Sequence, residues 1–319
     1  ILTNLKLLCC MEQNYVNPLP FKHISTAANE AVTYIRRRKN HEIEPLKSRW
    51  NKFNEMCCGG IEPGCVYTIV GASGTGKSSF VNTLETDLIE LNSNKELIVL
   101  SFSFEMLSRA QVGRKLSNKL RQTTTQLYSA SEDLSDTELN LVEKTAESFK
   151  DYPIYYVDDA ATVQKIDDTI TYFQNTIAKD KWLIVILDHT LLVNSDNYKD
   201  ERMIISELER VFIKAKKVGM TSIIQLSQMN RNIENIDRIN NPSSHYPMRS
   251  DLSSSDSVFQ GSDVIAVLSR PETLGITAYG PQRLPVQNKV YLHFLKVREG
   301  ELAILEFEND LKYNNLIEL

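Results

Sequence analysis

The sequence has few cysteines, and their spacing is not typical of a disulfide framework or a zinc site. The five cysteines occur as the adjacent pairs Cys9-Cys10 and Cys57-Cys58 and as Cys65, and no C-x-x-C motif is present. Adjacent cysteines are poorly placed to form ordinary disulfides, and this spacing does not favour tetrahedral zinc. We therefore expect reduced thiols, as in a cytoplasmic protein.

The sequence also lacks a long apolar run and an excess of positive charge. No run approaches membrane-spanning length, and the start lacks the pattern of a secretory signal, so we expect no membrane partner. The net charge is −5 over 319 residues. Any contact with nucleic acid must therefore come from a local basic surface. The first residue is Ile instead of Met, and we expect the chain to belong to a longer protein.

The amino-terminal residues differ in pattern from the rest of the chain. Residues 1 to about 20 end in Asn-Pro-Leu-Pro, which is typical of a linker. Apolar residues at helical spacing then predict a helix at His23–Lys39, whose apolar stripe needs a partner surface in this chain or in a neighbouring subunit. The basic run Arg36–Lys39 indicates a solvated helix end rather than a DNA site. We divide the chain into residues 1–45, a linker helix segment that docks on a neighbouring subunit, and a core at residues 46–319.

From residue 64 onward, short apolar runs alternate with longer stretches of helical spacing. This alternation predicts an α/β fold with a largely parallel sheet and helices on both faces. The polar stretch Asn230–Ser250 predicts a long loop. Near the end of the chain, the apolar pattern at Val290–Val297 and Leu302–Phe307 predicts a hairpin. The predicted strands are Val66–Val70, Leu97–Ser103, Ile154–Val157, Leu183–Leu187, Ser222–Leu226 and Val264–Leu268. The predicted helices are Ser78–Leu91, Met106–Leu120, Asp136–Phe149, Thr162–Lys179 and Asp200–Val218.

The segment Gly71–Ser78 reads Gly-Ala-Ser-Gly-Thr-Gly-Lys-Ser and matches the phosphate-binding loop (P-loop) pattern G-x-x-x-x-G-K-[ST]. Glycines let successive backbone N–H groups point at a phosphate, and the next helix adds its positive end. Lys77 would reach the outer phosphates of ATP, and Ser78 would ligate Mg²⁺. The alternative is an ordinary glycine-rich turn, but the strand before the motif and the helix after it favour the phosphate site. The candidate nucleotide contacts are Gly71, Ser73, Gly74, Thr75, Gly76, Lys77, Ser78 and Ser79.

Three predicted strands are followed by a polar side chain at the carboxyl end. Asp188 would hold Mg²⁺ together with Ser78, or it caps a strand-to-loop turn. Glu105 is either the general base for the attacking water or a first-turn helix residue stabilised by the helix dipole. Gln228 either senses the γ-phosphate or makes an ordinary hydrogen bond at the strand end.

Taken together, these stretches resemble the replicative helicases of the DnaB type, which have a RecA-like ATPase core, over about residues 46–313. Residues 103–106 (Ser-Phe-Glu-Met) are similar to the family's S-L-E-M, and residues 227–231 (Ser-Gln-Met-Asn-Arg) to its S-Q-L-N-R. Residues 247–265 resemble the stretch in which M-L-S-D-L leads through a DNA-contacting loop to a Q-x-A-D-V strand. Residues 295–300 (Leu-Lys-Val-Arg-Glu-Gly) look like A-K-Q-R-N-G. A phage or plasmid origin is consistent with this resemblance.

The resemblance implies roles for further residues. Glu105 becomes the catalytic base, and Lys296 and Arg298 become cations that reach into the ATP site of the neighbouring subunit. Tyr313 is similar to the tail residue near the family's nucleotide base, and the alternative is a tyrosine packed in the core. The implied catalytic residues are Lys77, Glu105, Gln228, Lys296 and Arg298.

The predicted DNA-contacting segment departs from the family pattern. Where the family has Arg-Glu-Ser-Gly, residues 253–256 read Ser-Ser-Ser-Asp. Loss of the arginine removes a phosphate contact and Asp256 repels the DNA backbone, whereas serine hydroxyls and backbone N–H groups can still bind phosphates. Arg231, Arg238 and Arg249 either face a central channel or lie on a solvated surface. The candidate nucleic-acid contacts are Arg231, Arg249, Ser253, Ser254 and Ser255.

These features predict an ATP-dependent replicative DNA helicase with ATP and Mg²⁺ as cofactors. We expect a homo-oligomeric ring, hexameric by the resemblance, that translocates on single-stranded DNA. A non-unwinding DNA-binding ATPase that acts as a scaffold or loader is the alternative, because the same core serves both functions. The family's helical domain that engages primase is not recognisable in residues 1–20, so primase or a helicase loader is a partner implied by the resemblance alone.

Overall fold

The computed structural model describes residues 19–131, 134–241, 244–253 and 255–319. The chain divides into two compact units, of which the first ends at Glu44 and the second comprises Pro45–Leu319. Nearly all of the predicted linker lies outside the described residues. Within the described ranges, no helix is both long enough and apolar enough to cross a membrane.

The first unit contains helix α1 (Ile24–Lys39). His23 caps its start, because the imidazole Nδ1 accepts a hydrogen bond from the Ser25 N–H at 3.2 Å. The last turn holds four basic side chains, which interact favourably with the carboxyl end of the helix dipole. The apolar side chains of Ile24 and Ile35 are 74% and 64% exposed. The predicted helix is therefore present, and its apolar stripe is open to solvent.

The second unit is built on a sheet of nine strands within the described residues. The strands are β1 (Val66–Gly71), β2 (Leu97–Ser103), β3 (Ile154–Val157), β4 (Trp182–Asp188), β5 (Met220–Gln228), β6 (Val264–Ser269), β7 (Lys289–Val297), β8 (Ile304–Asp310) and β9 (Asn315–Glu318). Their order across the sheet is β3-β2-β4-β5-β1-β6-β7-β8-β9. The first six in this order are parallel, and β7, β8 and β9 add to the edge in antiparallel pairs.

Helices cover both faces of the sheet. They are α2 (Asn51–Met56), α3 (Lys77–Glu90), α4 (Ser108–Leu120), α5 (Thr124–Tyr128), α6 (Asp136–Glu147), α7 (Val163–Asn175), α8 (Glu201–Ala215), α9 (Ile236–Ile239) and α10 (Ser255–Gly261). On one face, Tyr67 and Ile69 of β1 share a cluster with Phe80 of α3, and on the other face Val66 shares one with Phe212 of α8. Side chains alternate along a strand, so a strand covered on both faces is apolar throughout. The predicted α/β fold with a largely parallel sheet is confirmed.

The structure differs from the sequence prediction mainly in short elements. Helices α2, α5 and α10 and strand β9 were not predicted, and they are only four to seven residues long, too short for a periodic pattern. The predicted loop Asn230–Ser250 contains α9 and a short 3₁₀ turn at Arg231–Glu234. Arg238 in this stretch pairs with buried Asp251 at 2.6 Å, and its side chain is 14% exposed. The interpretation of Arg238 as a solvated surface residue was therefore wrong, and its charge is paired within the chain.

A buried ion pair joins α3, which follows the P-loop, to α4. Lys115 Nζ lies 2.5 Å from Glu85 Oε2, and neither side chain is more than 3% exposed. The Tyr156 hydroxyl donates to the same oxygen at 3.2 Å, and Lys115 also donates to the carbonyl oxygen of Asn82 at 3.2 Å. A buried charge that loses its partner is costly, so this pair ties α4 firmly to the P-loop helix.

Replacement of Lys115 with Met should lower the free energy of unfolding by about 3–5 kcal/mol, because Glu85 would stay buried without its cation. The double variant Lys115→Met/Glu85→Gln should recover most of this loss, since it removes both charges. Urea unfolding followed by circular dichroism measures the difference. Equal losses in the single and the double variant would trace the cost to packing and contradict this role of the pair.

Candidate functional site

The P-loop connects β1 to α3 at the carboxyl edge of the parallel strands. Gly74 and Gly76 have φ values of +77° and +97°, in the left-handed region that favours glycine. A Cβ at Gly76 would lie 2.6 Å from the Leu311 side chain, and a Cβ at Gly71 would lie 2.8 Å from the carbonyl oxygen of Leu268. The glycines therefore allow both the backbone conformation and the close packing of a loop whose N–H groups can surround a phosphate.

Lys77 is folded over the P-loop. Its Nζ donates to the carbonyl oxygens of Gly71 and Ala72 at 2.8 and 2.9 Å. Burial lowers the pKa of Lys77, and the nearby carboxylates of Asp188 and Glu105 oppose this shift. The ammonium group is thus held within the loop, where a phosphate oxygen could replace the carbonyl acceptors.

The remaining polar residues of the loop differ in their surroundings. Ser73 and Gly74 are exposed. The buried Thr75 hydroxyl donates to a carbonyl of the loop itself, at Ala72. The buried Ser79 hydroxyl donates to Asn314 Oδ1 at 3.1 Å. For Ser79, the backbone N–H is consequently the group that remains for a phosphate contact.

Asp188, the last residue of β4, lies beside Ser78. Burial raises the pKa of Asp188, and a hydrogen bond from the Ser78 hydroxyl to the carboxylate opposes this shift. Asp188 is aligned with Ser103, the last residue of the neighbouring strand β2. A hydroxyl and a carboxylate in contact at the foot of a P-loop are the oxygen ligands that Mg²⁺ prefers.

Glu105 follows β2 and precedes α4, which begins at Ser108. Glu105 is therefore not in the first turn of a helix, and the alternative interpretation as a dipole-stabilised helix residue is wrong. Its side chain is 54% exposed, and Oε2 lies 3.6 Å from Nε2 of His189. A carboxylate that is open to solvent next to Lys77 and Asp188 is placed where it can accept a proton from water.

Lys77, Ser78, Glu105 and Asp188 form a group of polar side chains that we call the nucleotide cluster. Two further members, His189 and Arg114, were not predicted from the sequence. The His189 ring is buried, and burial lowers its pKa, so the ring is mostly neutral near pH 7. Nη1 of Arg114 on α4 is buried without a hydrogen-bond partner among the described residues, and Arg114 lies near enough to Asp188 and Glu105 to feel their charges. The position directly after Asp188 was a usable signal for His189, whereas only the packing of α4 brings Arg114 to the site.

Gln228 ends β5 and contacts two parts of the molecule. Its side-chain Nε2 lies 3.2 Å from Nε2 of His189. Its backbone carbonyl accepts a hydrogen bond from the Ser253 N–H at 3.2 Å, and the next residue, Met229, forms an antiparallel bridge with Leu252. Gln228 thus joins the nucleotide cluster through its side chain and the predicted DNA-contacting segment through its backbone.

The nucleotide cluster has the groups needed to bind a nucleoside triphosphate with Mg²⁺. Gly74 and Gly76 hold the loop backbone in the left-handed conformation in which its N–H groups can surround a phosphate. The buried Nη1 of Arg114 has an unused hydrogen-bond donor among the described residues. Ser78 and Asp188 together present oxygen atoms suited to a hard cation.

Lys296 and Arg298 lie at the opposite edge of the sheet from the P-loop. Lys296 is aligned with Ile265 near the start of β6, whereas the P-loop follows the carboxyl end of β1. Lys296 Nζ donates to the carbonyl oxygen of Phe259, and Arg298 Nη1 lies 3.2 Å from Asp263 Oδ1. Through β6, Lys296 is level with Thr68 and Arg298 with Val66, three and five residues before Gly71. At about 3.3 Å per strand residue these are distances of roughly 10 and 16 Å along the strands, and the two strand spacings from β1 to β7 add about 10 Å sideways. Neither cation can therefore reach a phosphate bound by its own chain.

The predicted DNA-contacting segment begins with a short turn at Arg249–Asp251 and continues into α10. The Arg249 guanidinium lies 4.3 Å from the centre of the Phe259 ring and 2.8 Å from Asp256 Oδ1. Both members of this ion pair are exposed, at 52% and 80%. Asp256, which was expected to act by repelling DNA, therefore also neutralises the nearest arginine of the segment.

The other candidate nucleic-acid residues lie at a cleft or at the start of a short element. Ser253 is half-buried and helps to line a polar cleft of about 420 Å³, together with Arg202 at the start of α8. Arg231 is the first residue of a 3₁₀ turn, and Ser255 is the first residue of α10. Ser254 lies outside the described residues.

Tyr313 ends the short 3₁₀ turn that begins at Leu311, and it is half-buried, so the alternative of a tyrosine packed in the core was wrong. The Arg121 guanidinium lies 4.3 Å from the centre of its ring, and Lys312 Nζ lies 4.8 Å from it. The turn that carries Tyr313 also carries Leu311, which packs closely against Gly76. Arginine and tyrosine planes in contact form a surface on which a planar base can stack.

Comparison with known proteins gives a family match and curated relatives. The family described as "DnaB-like helicase C terminal domain" matches residues 45–317. The "Replicative DNA helicase DnaB" of Pasteurella multocida (strain Pm70) is 24% identical over 214 residues, which are 67% of this chain and 44% of that protein. The chain thus spans less than half of the length of this relative.

Solved structures show the same fold. A chain described as an ATPase domain aligns with a TM-score of 0.76 at 19% identity, covering 91% of this chain and 98% of that one. A structure described as a DnaB-like replicative helicase and its interactions with primase aligns with a TM-score of 0.75, covering 94% of this chain and 68% of that one. These likenesses confirm the predicted RecA-like architecture. With the family match over residues 45–317, they establish that this chain belongs to the DnaB-like helicase C-terminal domain family.

Proposed function

We propose that this chain is the motor of an ATP-dependent replicative DNA helicase, which forms a ring, translocates on single-stranded DNA and unwinds duplex. One observation carries the proposal. The nucleotide cluster and the cations Lys296 and Arg298 lie at opposite edges of one sheet. A complete site for hydrolysis therefore requires a second subunit, as in a motor whose ATP sites lie between subunits.

The P-loop residues would hold ATP, and Ser78 and Asp188 would hold Mg²⁺. When bound, this cation neutralises charge on the phosphates. Lys77 would exchange its two carbonyl acceptors for phosphate oxygens, and the unused Nη1 of Arg114 offers a further donor. Tyr313 would contribute the surface on which the base stacks.

Glu105 acts as general base and Gln228 as the sensor of the γ-phosphate. The Glu105 carboxylate accepts the proton of the attacking water. Gln228 binds the γ-phosphate with its side chain. Its backbone bond to Ser253 carries this information to the DNA-contacting segment.

Lys296 and Arg298 act on the nucleotide of the neighbouring subunit. Lys296 lies in β7 but Arg298 lies in the turn that follows Val297, so the alternation of side chains along a strand does not fix their common direction. Both cations lie near Asp263, which supports this common direction. Across a subunit boundary, the pair would stabilise the charge that develops on the transferred γ-phosphate, as an arginine finger does.

We propose a hexameric homo-oligomer in which α1 docks on the adjacent subunit. The exposed apolar side chains of α1, such as Ile24 and Ile35, support this role, because an open apolar stripe is stabilised by a partner surface. Primase or a helicase loader is a further proposed partner, supported by the family and by a structural relative described with primase. The reduced cysteines expected from the sequence support a cytoplasmic location.

A non-unwinding ATPase that serves as a scaffold or loader is the second candidate. The observation that favours it is the ion pair between Asp256 and Arg249, which reduces the positive charge offered to DNA. Such a protein would hydrolyse ATP and assemble on DNA without separating strands.

Lys77→Ala and Glu105→Gln should impair hydrolysis in different ways. Lys77→Ala should weaken both ATP binding and turnover, because it removes charge from the ground state and the transition state alike. Glu105→Gln should bind ATP almost normally and lose turnover by ~10²-fold or more. Fluorescent-nucleotide titration and steady-state phosphate release measure the two effects. Normal turnover in Glu105→Gln would refute the assignment of the base.

A forked DNA duplex should be unwound by the protein in the presence of ATP and Mg²⁺. Mixing in Arg298→Ala subunits should reduce unwinding more steeply than the mutant fraction, because each defective subunit disables its neighbour's site. Lys179→Ala, which removes an exposed cation from the turn after α7, serves as the matched control. ATP hydrolysis without unwinding would favour the scaffold. A loss that is merely proportional, in rings shown to be mixed, would argue against action in trans.

Asp256→Asn should strengthen binding to single-stranded DNA by several-fold at low salt, because Arg249 gains the freedom to pair with a phosphate. The dependence of log K on log[salt] should steepen by about 0.7 per phosphate gained. Glu201→Gln removes the same charge from the same cleft without touching the arginine, and it is the control. Fluorescence anisotropy over a salt series measures both. Identical changes in the two variants would point to a general effect of charge and place the strand away from Arg249.

A further inference from the structure

His189 is the buried side chain at which the two residues proposed to act at the γ-phosphate meet. Its Nε2 lies 3.2 Å from Gln228 Nε2 and 3.6 Å from Glu105 Oε2. On the other side of the ring, Nδ1 accepts the Leu191 N–H at 3.2 Å. The side chain is only 7% exposed, so protein groups rather than bulk water decide its hydrogen bonds.

The contact with Leu191 fixes which ring nitrogen carries the proton. A backbone N–H can only donate, so Nδ1 must be the unprotonated nitrogen of the imidazole. The neutral ring then carries its hydrogen on Nε2, which is the nitrogen that faces Gln228 and Glu105. His189 therefore presents a hydrogen-bond donor to Gln228, whereas Glu105 Oε2, at 3.6 Å, lies beyond hydrogen-bond distance.

A donor at this position restricts the Gln228 amide to one of its two orientations. An amide NH₂ group facing the His189 N–H would bring two donors together, whereas the orientation rotated by 180° offers the carbonyl oxygen as acceptor. In that orientation the NH₂ group is free for another acceptor. Gly71, the residue aligned with Gln228 across the sheet, opens the P-loop, so a bound phosphate is a nearby acceptor.

We propose that His189 is a positioning residue that holds the Gln228 amide with its NH₂ group available to the γ-phosphate. The proposal rests on the proposed ATPase function. The ring nitrogen Nε2 thereby sets the orientation of the sensor.

Two variants test the contributions of Nδ1 and Nε2 separately. In His189→Asn, the amide oxygen can replace Nδ1 as acceptor for Leu191, but nothing replaces Nε2. In His189→Gln, the amide NH₂ reaches the position of Nε2 and restores the donor. We expect kcat for ATP hydrolysis to fall about 10–100-fold in His189→Asn, the scale of a misplaced reacting group, with KM for ATP and the affinity for ADP changed by less than about threefold. His189→Gln should recover most of kcat.

A double variant tests whether His189 acts through Gln228. In the Gln228→Ala background, His189→Asn should lower kcat by at most a few-fold, because the amide that it positions is already gone and the two losses are not additive. Full additivity of the two losses would overturn the proposal. An unchanged kcat in His189→Asn would also overturn it. The same holds if kcat falls equally in the Asn and Gln variants while both have lower melting temperatures and bind ADP more weakly.

The failure of this inference is distinguishable from the failure of the proposed function. If the wild-type chain does not hydrolyse ATP, or if Glu105→Gln hydrolyses it normally, then the proposed function and this inference both fall. If the wild type depends on Glu105 as expected and His189→Asn retains its kcat, only the role of His189 is refuted.

Discussion

The candidate site depends on the parallel alignment of the central strands. Gly71, Ser103, Asp188 and Gln228 end four such strands, and the register places Gly71 beside Gln228 and Ser103 beside Asp188. A slip of one residue would turn each of these side chains to the other face of the sheet. The apolar contacts on both faces hold the register, so the burial that stabilises the core also determines the geometry of the nucleotide cluster.

Helix α4 is the second support of the site, and it is held by charge in addition to apolar packing. The pair between Lys115 and Glu85 is almost fully buried, and it anchors the helix whose adjacent side chain, Arg114, reaches the cluster. Buried ion pairs add little net stability, but their partners cannot be separated cheaply. The pair therefore fixes a position more than it strengthens the fold.

The parts of the site that depend on local spacing could be predicted from the sequence. The P-loop is one contiguous motif, and Asp188 and Gln228 each follow an apolar strand, so their common edge follows from the α/β pattern. The cluster contacts of Arg114 and the pairing of Arg249 with Asp256 depend on tertiary packing, and no short pattern encodes them. Short elements such as α10 were missed for the same reason, since they are too brief to show a period.

The connection between Gln228, the proposed sensor, and the predicted DNA-contacting segment is made by backbone atoms. Ser253 N–H binds the Gln228 carbonyl, and Met229 and Leu252 continue this pairing as a bridge. Main-chain hydrogen bonds are available to almost any residue, so the side chains that follow Leu252 can diverge without loss of the link. Under the proposed function, the exchange of arginine for serine in the predicted DNA-contacting segment would change its contacts with a DNA strand but leave this backbone link to Gln228 intact.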